Sequence, residues 1–226
     1  MSWSGGKDSA LALYYALHSN EYEVVHLHTT FGEETRRVGM HGVREELIEA
    51  QAHELRIPLR KLYLPASSTN DAYETVMKEF YRQCVDEGTT HVVFGDIFLE
   101  DLRLYRETLL KPFGLHPVFP LWGKDTKELV RGFLRLGFKT VICSANVTYF
   151  SETDAGKQIT SDFIDQLPAG VDPCGENGEF HTFVFDGPVF QRAIGVHAGE
   201  VSLHTYPVPG EKGHQFWFCD LLPSAL

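Results

Sequence analysis

Ser4-Gly5-Gly6-Lys7-Asp8-Ser9 runs without a break into Ala10-Leu11-Ala12-Leu13. Two glycines between serines, then a lysine and an aspartate, stand at the mouth of an apolar helix-like run. Gly5 and Gly6 let the backbone turn tightly and bring N–H groups close to an anion. Ser9 lies at the start of the helix, whose N-terminal dipole favours negative charge. Lys7 adds a formal charge, and Asp8 can hold magnesium or orient the loop. These residue types suit the oxygens of a polyphosphate. The Walker A spacing G-x-x-x-x-G-K-[ST] is absent, which argues against ordinary P-loop hydrolysis.

Working outward, strands and helices alternate. A strand should precede Ser4, yet only Met1, Ser2 and Trp3 do. That strand is expected to be very short or to begin upstream. Residues 24–31 read as a strand. Residues 41–56 read as a helix with Val43, Leu47, Ile48, Ala52 and Leu55 near one face. Residues 59–64 form a short strand. Asn70 or Asp71 caps the next helix, and Gly88 ends it. Residues 91–97 are the next strand, with Gly95-Asp96 at its carboxyl end. Repeated βα units predict an α/β fold, a doubly wound parallel sheet whose ligands collect at the carboxyl ends of the strands. After Trp122 the pattern changes. A helix is expected from Asp125 or Thr126 to about Leu136, a strand over 140–143 and a helix over 157–167. Further strands follow at 183–185, 201–206 and 215–219. The expected division is a nucleotide-binding domain over 1–122 and a second, smaller α/β domain over 123–226.

Composition narrows the function. Acids outnumber bases by 31 to 20, giving a net charge of −11, and no cluster of five Lys/Arg occurs. Nucleic-acid binders usually carry a basic patch, so tRNA is disfavoured as a substrate. No apolar run approaches the ~20 residues of a membrane span, and no signal peptide is visible. Cys84, Cys143, Cys174 and Cys219 form no C-x-x-C pair. Four reduced cysteines in a cytoplasmic protein is the expectation.

Further motifs add chemistry. His41-Gly42 opens the helix after the second strand, where His41 can stack or hydrogen-bond near a base or simply face solvent. Asp96 can bind magnesium or a ribose, and Gly95 permits close approach. Arg103 and Arg106 lie three apart and share a helical face, fit to neutralise phosphate or an acid, or to pair with Glu100, Asp101 and Glu107. The densest stretch is Gly175-Glu176-Asn177-Gly178-Glu179-Phe180-His181-Thr182. Its carboxylates, Glu176 and Glu179, can bind ammonium or act as a base, and His181 can assist proton transfer. Cys174 is read as structural or incidental, and His26 and His28 as packing or surface residues.

Ser4-Gly5-Gly6-Lys7-Asp8-Ser9 resembles the pyrophosphate loop of the N-type ATP pyrophosphatases. Together with Met40-His41-Gly42-Val43, Gly95-Asp96-Ile97, Arg103, Arg106 and the 175–182 stretch, the chain resembles the diphthine–ammonia ligase family over nearly its whole length. The resemblance implies a HUP-like fold and an ATP-dependent amide ligase that forms AMP and pyrophosphate. It implies ATP contacts from Ser4, Gly5, Gly6, Lys7, Asp8, Ser9, His41, Gly42, Gly95 and Asp96. Magnesium would be held by Asp8 and Asp96. The acceptor acid would meet Arg103, Arg106, Gly175, Glu176, Asn177 and Glu179, and the catalytic set would be Lys7, Asp8, Glu176, Glu179 and His181.

Asn177 stands where the diphthamide branch has glycine, and His181 where it has an acid. The form G-E-N-G-E-F-H-T is similar to a bacterial-type branch. The acceptor is therefore expected either on a protein, elongation factor 2, or on a small corrinoid acid. Free ammonium or another subunit supplies nitrogen, since no glutaminase domain is evident. A homodimer is expected. Two other readings are tRNA thiolation and nucleotide sensing without turnover.

Overall fold

A computed structural model describes residues 1–65, 70–206 and 213–224. In chain order the elements are α1 (Lys7–His18), β1 (Leu27–Gly32), α2 (Glu45–Leu55), β2 (Leu59–Leu64), α3 (Asn70–Asp86), β3 (His91–Val93), α4 (Glu100–Leu110) and β4 (His116–Val118). They continue with α5 (Thr126–Arg135), β5 (Lys139–Asn146), α6 (Ser161–Asp165), β6 (Phe180–Asp186), β7 (Val196–Tyr206) and β8 (His214–Pro223).

β1 pairs in parallel with β2, and β3 with β4. The first three residues join the two pairs. Ser2 N–H donates to the Val93 carbonyl and Trp3 N–H to the His28 carbonyl, each at 2.9 Å. His28 N–H donates to the Met1 carbonyl at 2.9 Å. The spatial order is thus β2, β1, residues 1–3, β3, β4. Residues 1–3 occupy the place of the strand expected ahead of the loop.

Alternation along the strands sends successive side chains to opposite faces. Leu27, Phe31 and Val93 join Leu11 and Leu13 of α1 and Leu47 and Ile48 of α2 in one core. Val92 and Phe94 join Met77, Phe80 and Tyr81 of α3 and Leu110 of α4 in a second. Helices therefore cover both faces, as a doubly wound sheet requires. His26 and His28 point to the second face. His28 packs on Phe80, its ring 4.7 Å away, and His26 Nε2 lies 3.6 Å from Cys84 Sγ. Both are buried packing residues, and burial holds His26 neutral, with its pKa lowered to about 4.

The C-terminal half is an antiparallel sheet in the order β6-β5-β8-β7. Phe133, Phe138, Ile142, Phe180 and Phe183 continue the α1/α2 core without a break. Each such side chain contributes about 1.5–3 kcal/mol when fully buried. α5 opens as its sequence predicts, with Asp125 Oδ1 accepting the Glu128 N–H at 2.9 Å. All four cysteines are free and buried. No helix among the described residues is long and apolar enough to cross a membrane.

Several boundaries move for local reasons. β1 starts at Leu27, leaving Val25 half exposed. α2 starts at Glu45, because residues 38–43 fold back on themselves through Val38 N–H to the Val43 carbonyl and Gly42 N–H to the Val38 carbonyl. The helix expected over 157–167 shrinks to α6, which Thr160 caps through the Phe163 N–H at 3.2 Å. The residues just ahead of α3, where its cap would fall, lie outside the described ones.

Candidate functional site

A cavity of about 470 Å³ opens at the carboxyl ends of the parallel strands, beneath β6. Ser4, Lys7, Asp8 and Ser9 form its floor at the N-terminus of α1. A second cavity of about 500 Å³ lies at the opposite, amino ends of the strands, lined by His26, Arg60, Cys84 and Glu87. Open α/β sheets bind ligands at the carboxyl ends, and the loop lies there.

The loop is held from behind. Gly5 adopts φ +80°, a left-handed conformation that favours glycine, and a Cβ there would lie 2.5 Å from Ile48 Cδ1. Its carbonyl accepts from Val184 N–H on β6 and from Gln51 Nε2 on α2, both at 2.9 Å. Gln51 also donates to the Val184 carbonyl at 2.6 Å and accepts the Trp3 indole N–H at 2.9 Å. Ser9 Oγ donates to the Gly6 carbonyl at 2.9 Å, and Gly6 N–H donates to Ser4 Oγ at 3.2 Å. A Cβ on Gly95 would come within 2.9 Å of the Asp8 carbonyl carbon. That glycine lets the end of β3 pack against the first turn of α1.

The C-terminal half forms the facing wall. Thr182 Oγ1 accepts the Lys7 N–H at 3.0 Å, the first N–H of α1. Lys7 Nζ donates to Asp8 Oδ2 at 2.8 Å and to the Cys174 carbonyl. Burial works against charge on Lys7, but Asp8, Cys174 and Glu176 together outweigh it and raise its pKa. Burial raises the Asp8 pKa, and Lys7 opposes that shift. Glu176 Oε1 accepts the Ile97 N–H at 2.7 Å. Burial pushes its pKa up to about 7 despite that bond, with Asp8 and Asp96 adding repulsion. His41 and His181 stand together, ring centroids 4.7 Å apart. Burial keeps both neutral, with the His41 pKa lowered to about 4 and that of His181 well below its usual value.

Eleven of the residues expected from sequence line this cavity: Ser4, Lys7, Asp8, Ser9, His41, Gly95, Asp96, Arg106, Gly175, Glu176 and His181. The others do their work elsewhere. Gly5 and Gly6 shape the loop from behind. Gly42, at φ +65°, lies where a Cβ would strike Phe218 at 2.4 Å. Arg106 stacks over Phe94 and donates to Asp96 at 3.1 Å, whereas Arg103 pairs with Glu107 at 2.8 Å and lies over Trp122. Glu179 is buried in its own loop, accepting from Asp172 N–H, Asn177 N–H and Asn177 Nδ2 at 2.9–3.1 Å. Asp172 Oδ2 in turn accepts from the Cys174 and Glu176 N–H groups. These two acids set the loop that presents the Cys174 carbonyl and the Glu176 carboxylate.

Sequence reasoning missed Gln51, Asp172 and Thr182. Gln51 gave a usable signal, a polar side chain in the apolar seam Leu47-Ile48-Ala52-Leu55. Thr182 stands in the 175–182 stretch, but its partner could not be read there, because the contact joins two segments 175 residues apart.

Comparison with known proteins places this geometry in context. The family model "Diphthamide synthase N-terminal domain" matches residues 1–117, and "Diphthamide synthase C-terminal domain" matches 125–210. A protein named diphthine–ammonia ligase from Schizosaccharomyces pombe is 28% identical over 222 residues, 89% of this chain and 36% of that protein. A human protein of the same name is 28% identical over 124 residues, 53% of this chain and 46% of its own. The chain thus spans less than half the length of these relatives.

Proposed function

Because the chain belongs to the diphthamide synthase family, we propose that it is an ATP-dependent ligase that adenylates a carboxylic acid and passes the acyl group to ammonia. The relatives named diphthine–ammonia ligase support this reading. The observation that carries it is the meeting of Lys7 and Asp8 with Glu176 in one cavity.

Lys7 and the first turn of α1 would bind the β- and γ-phosphates and balance charge as pyrophosphate departs. Asp8 and Asp96 both line the cavity, and two carboxylates beside substrate phosphates suit Mg²⁺. The ion would supply charge neutralisation across the phosphates. Arg106 is positioned by Asp96 and Phe94 to meet an anionic group. The acceptor carboxylate attacks the α-phosphorus, and ammonia then displaces AMP near Glu176. The acid is diphthine on elongation factor 2 or a corrinoid acid, and the working division is 1–122 and 123–226.

Thiolation is the weaker reading. Burial pushes the Cys174 thiol up, and its Sγ lies 3.3 Å from the Thr126 carbonyl, so it is a poor nucleophile. The test is ATP–pyrophosphate exchange over a panel of acids, with Asp8→Ala as control. Exchange with one acid, lost in the variant, supports adenylation. Formation of ADP and phosphate would sink it.

A further inference from the structure

The imidazole pair on the cavity wall has hydrogen-bonding capacity that nothing among the described residues uses. His41 Nδ1 lies 3.2 Å from the Thr182 carbonyl. A carbonyl only accepts, so Nδ1 carries the proton and Nε2 of His41 keeps its lone pair. His181 Nε2 is buried and has no partner among the described residues. Ser144 lies directly opposite His181 in the β5–β6 register, and its buried hydroxyl also has none. Directly opposed residues of an antiparallel pair project to the same sheet face with Cβ atoms about 5 Å apart. Two orphaned polar side chains therefore share one sheet face, and His181 lines the cavity.

Buried polar atoms without partners call for a small polar guest. The charges around the pair restrict it. Lys7 is the cation that acts on both rings, and it is engaged by Asp8 and the Cys174 carbonyl. Both imidazoles are neutral, so they offer an anion no countercharge. What the pair does offer a small donor is an acceptor nitrogen, Nε2 of His41, beside the unpartnered Nε2 of His181. Glu176 lines the same cavity.

We propose that His41, His181 and Ser144 form the nitrogen-donor subsite of this protein, which takes one molecule of ammonia. The inference rests on the ligase reading above and deepens it. Ammonium gives up one proton to solvent before entry. The bound ammonia then donates N–H to the histidine Nε2 acceptor while its lone pair faces the acyl carbon. As the C–N bond forms, the C–O bond to AMP breaks and AMP leaves with the electron pair. The surplus proton on nitrogen passes to the Glu176 carboxylate. Atoms and charge balance without another reactant.

The test uses the full chain labelled with ¹⁵N-histidine. The ring nitrogens of His41 and His181 are followed by NMR during titration with ammonium chloride, against potassium chloride at equal ionic strength. The titration is run at about pH 8.5, where Glu176 is ionised. The expected result is a saturable shift of both rings with ammonium chloride alone, abolished on His41 by His181→Phe, which keeps a ring in place. No saturable shift, or the same shift with potassium, means that water alone fills the site and overturns the proposal. Pyrophosphate exchange in the same preparation separates the two readings. An ammonium response without exchange for any acid removes the ligase reading and leaves the subsite standing. Exchange without an ammonium response does the reverse.

Discussion

Gln51 Nε2 donates to the Gly5 carbonyl over 2.9 Å, tying α2 to the glycine turn ahead of α1. The same side chain holds the Val184 carbonyl and the Trp3 indole, so three segments meet at one fully buried amide. Gln51→Leu keeps the size and removes every donor. It strands Trp3 Nε1 and the Val184 carbonyl, and each stranded group costs about 1–3 kcal/mol. A loss of about 2–5 kcal/mol in denaturant unfolding is expected, with at least tenfold weaker ATP binding by titration calorimetry.

Gly5 and Gly88 make a matched pair for separating strain from contact. Both have φ above +80° or close to it, at +80° and +86°. A Cβ on Gly5 meets Ile48 and Gln51, whereas one on Gly88 meets nothing within 4 Å. Gly88→Ala should cost only the left-handed strain, about 1–2 kcal/mol. Gly5→Ala should cost clearly more and abolish ATP binding. Thermal unfolding and ATP titration of the two variants give the comparison.

Glu176 sets a pH limb. Burial raises its pKa to about 7, above the ordinary carboxylate value, so it is largely protonated at pH 6 and largely ionised at pH 8. Amide formation is expected to rise as pH passes through about 7, and Glu176→Gln should erase that limb. Stability runs the other way. A carboxyl whose folded pKa is raised favours the native state at low pH and ceases to do so as pH climbs through the folded value. Glu176→Gln should therefore raise the melting temperature at pH 8 relative to wild type, and less at pH 4.

Asp220 of β8 clasps the parallel domain. It accepts from Arg37 Nη1 at 2.8 Å, and from Arg44 Nε and Nη2 at 2.9 and 2.7 Å. Arg44 first, then Arg37, hold its pKa well below the usual carboxylate range. That stability is present above about pH 4 and drains away as pH falls through the folded value. Asp220→Asn should cost about 1–2 kcal/mol at pH 7, discounted for its partial exposure. Urea melts at pH 7 and pH 3 should show that difference shrink.

Much of this was legible in the sequence. The hexapeptide before α1 marked residues that line the cavity, and the repeated βα units up to β3 announced the doubly wound sheet. The strand ends did not show themselves, because Val24 and Val25 look like strand residues yet lie outside the ladder. The cavity residues were found where one segment carries them, as in the loop and in Glu176. Arg103 and Arg106 were indistinguishable by spacing. Only the position of Asp96 and Phe94 against α4 tells which one turns inward. Glu179 reads as an active acid beside Glu176, and the three N–H donors that occupy it come from a turn that sequence does not reveal.

Thr182 receives the Lys7 amide on its hydroxyl and His41 on its carbonyl. The floor of the loop and the wall opposite thus share a single threonine from the far end of the chain. For heredity, the consequence is co-inheritance. A hybrid gene that joined the front of one homologue to the back of another would part each loop from the strand it grew up with. A seam beyond residue 182 keeps Lys7, His41 and Thr182 from one parent, so viable single-crossover chimeras should have their seams there and not between residues 41 and 182.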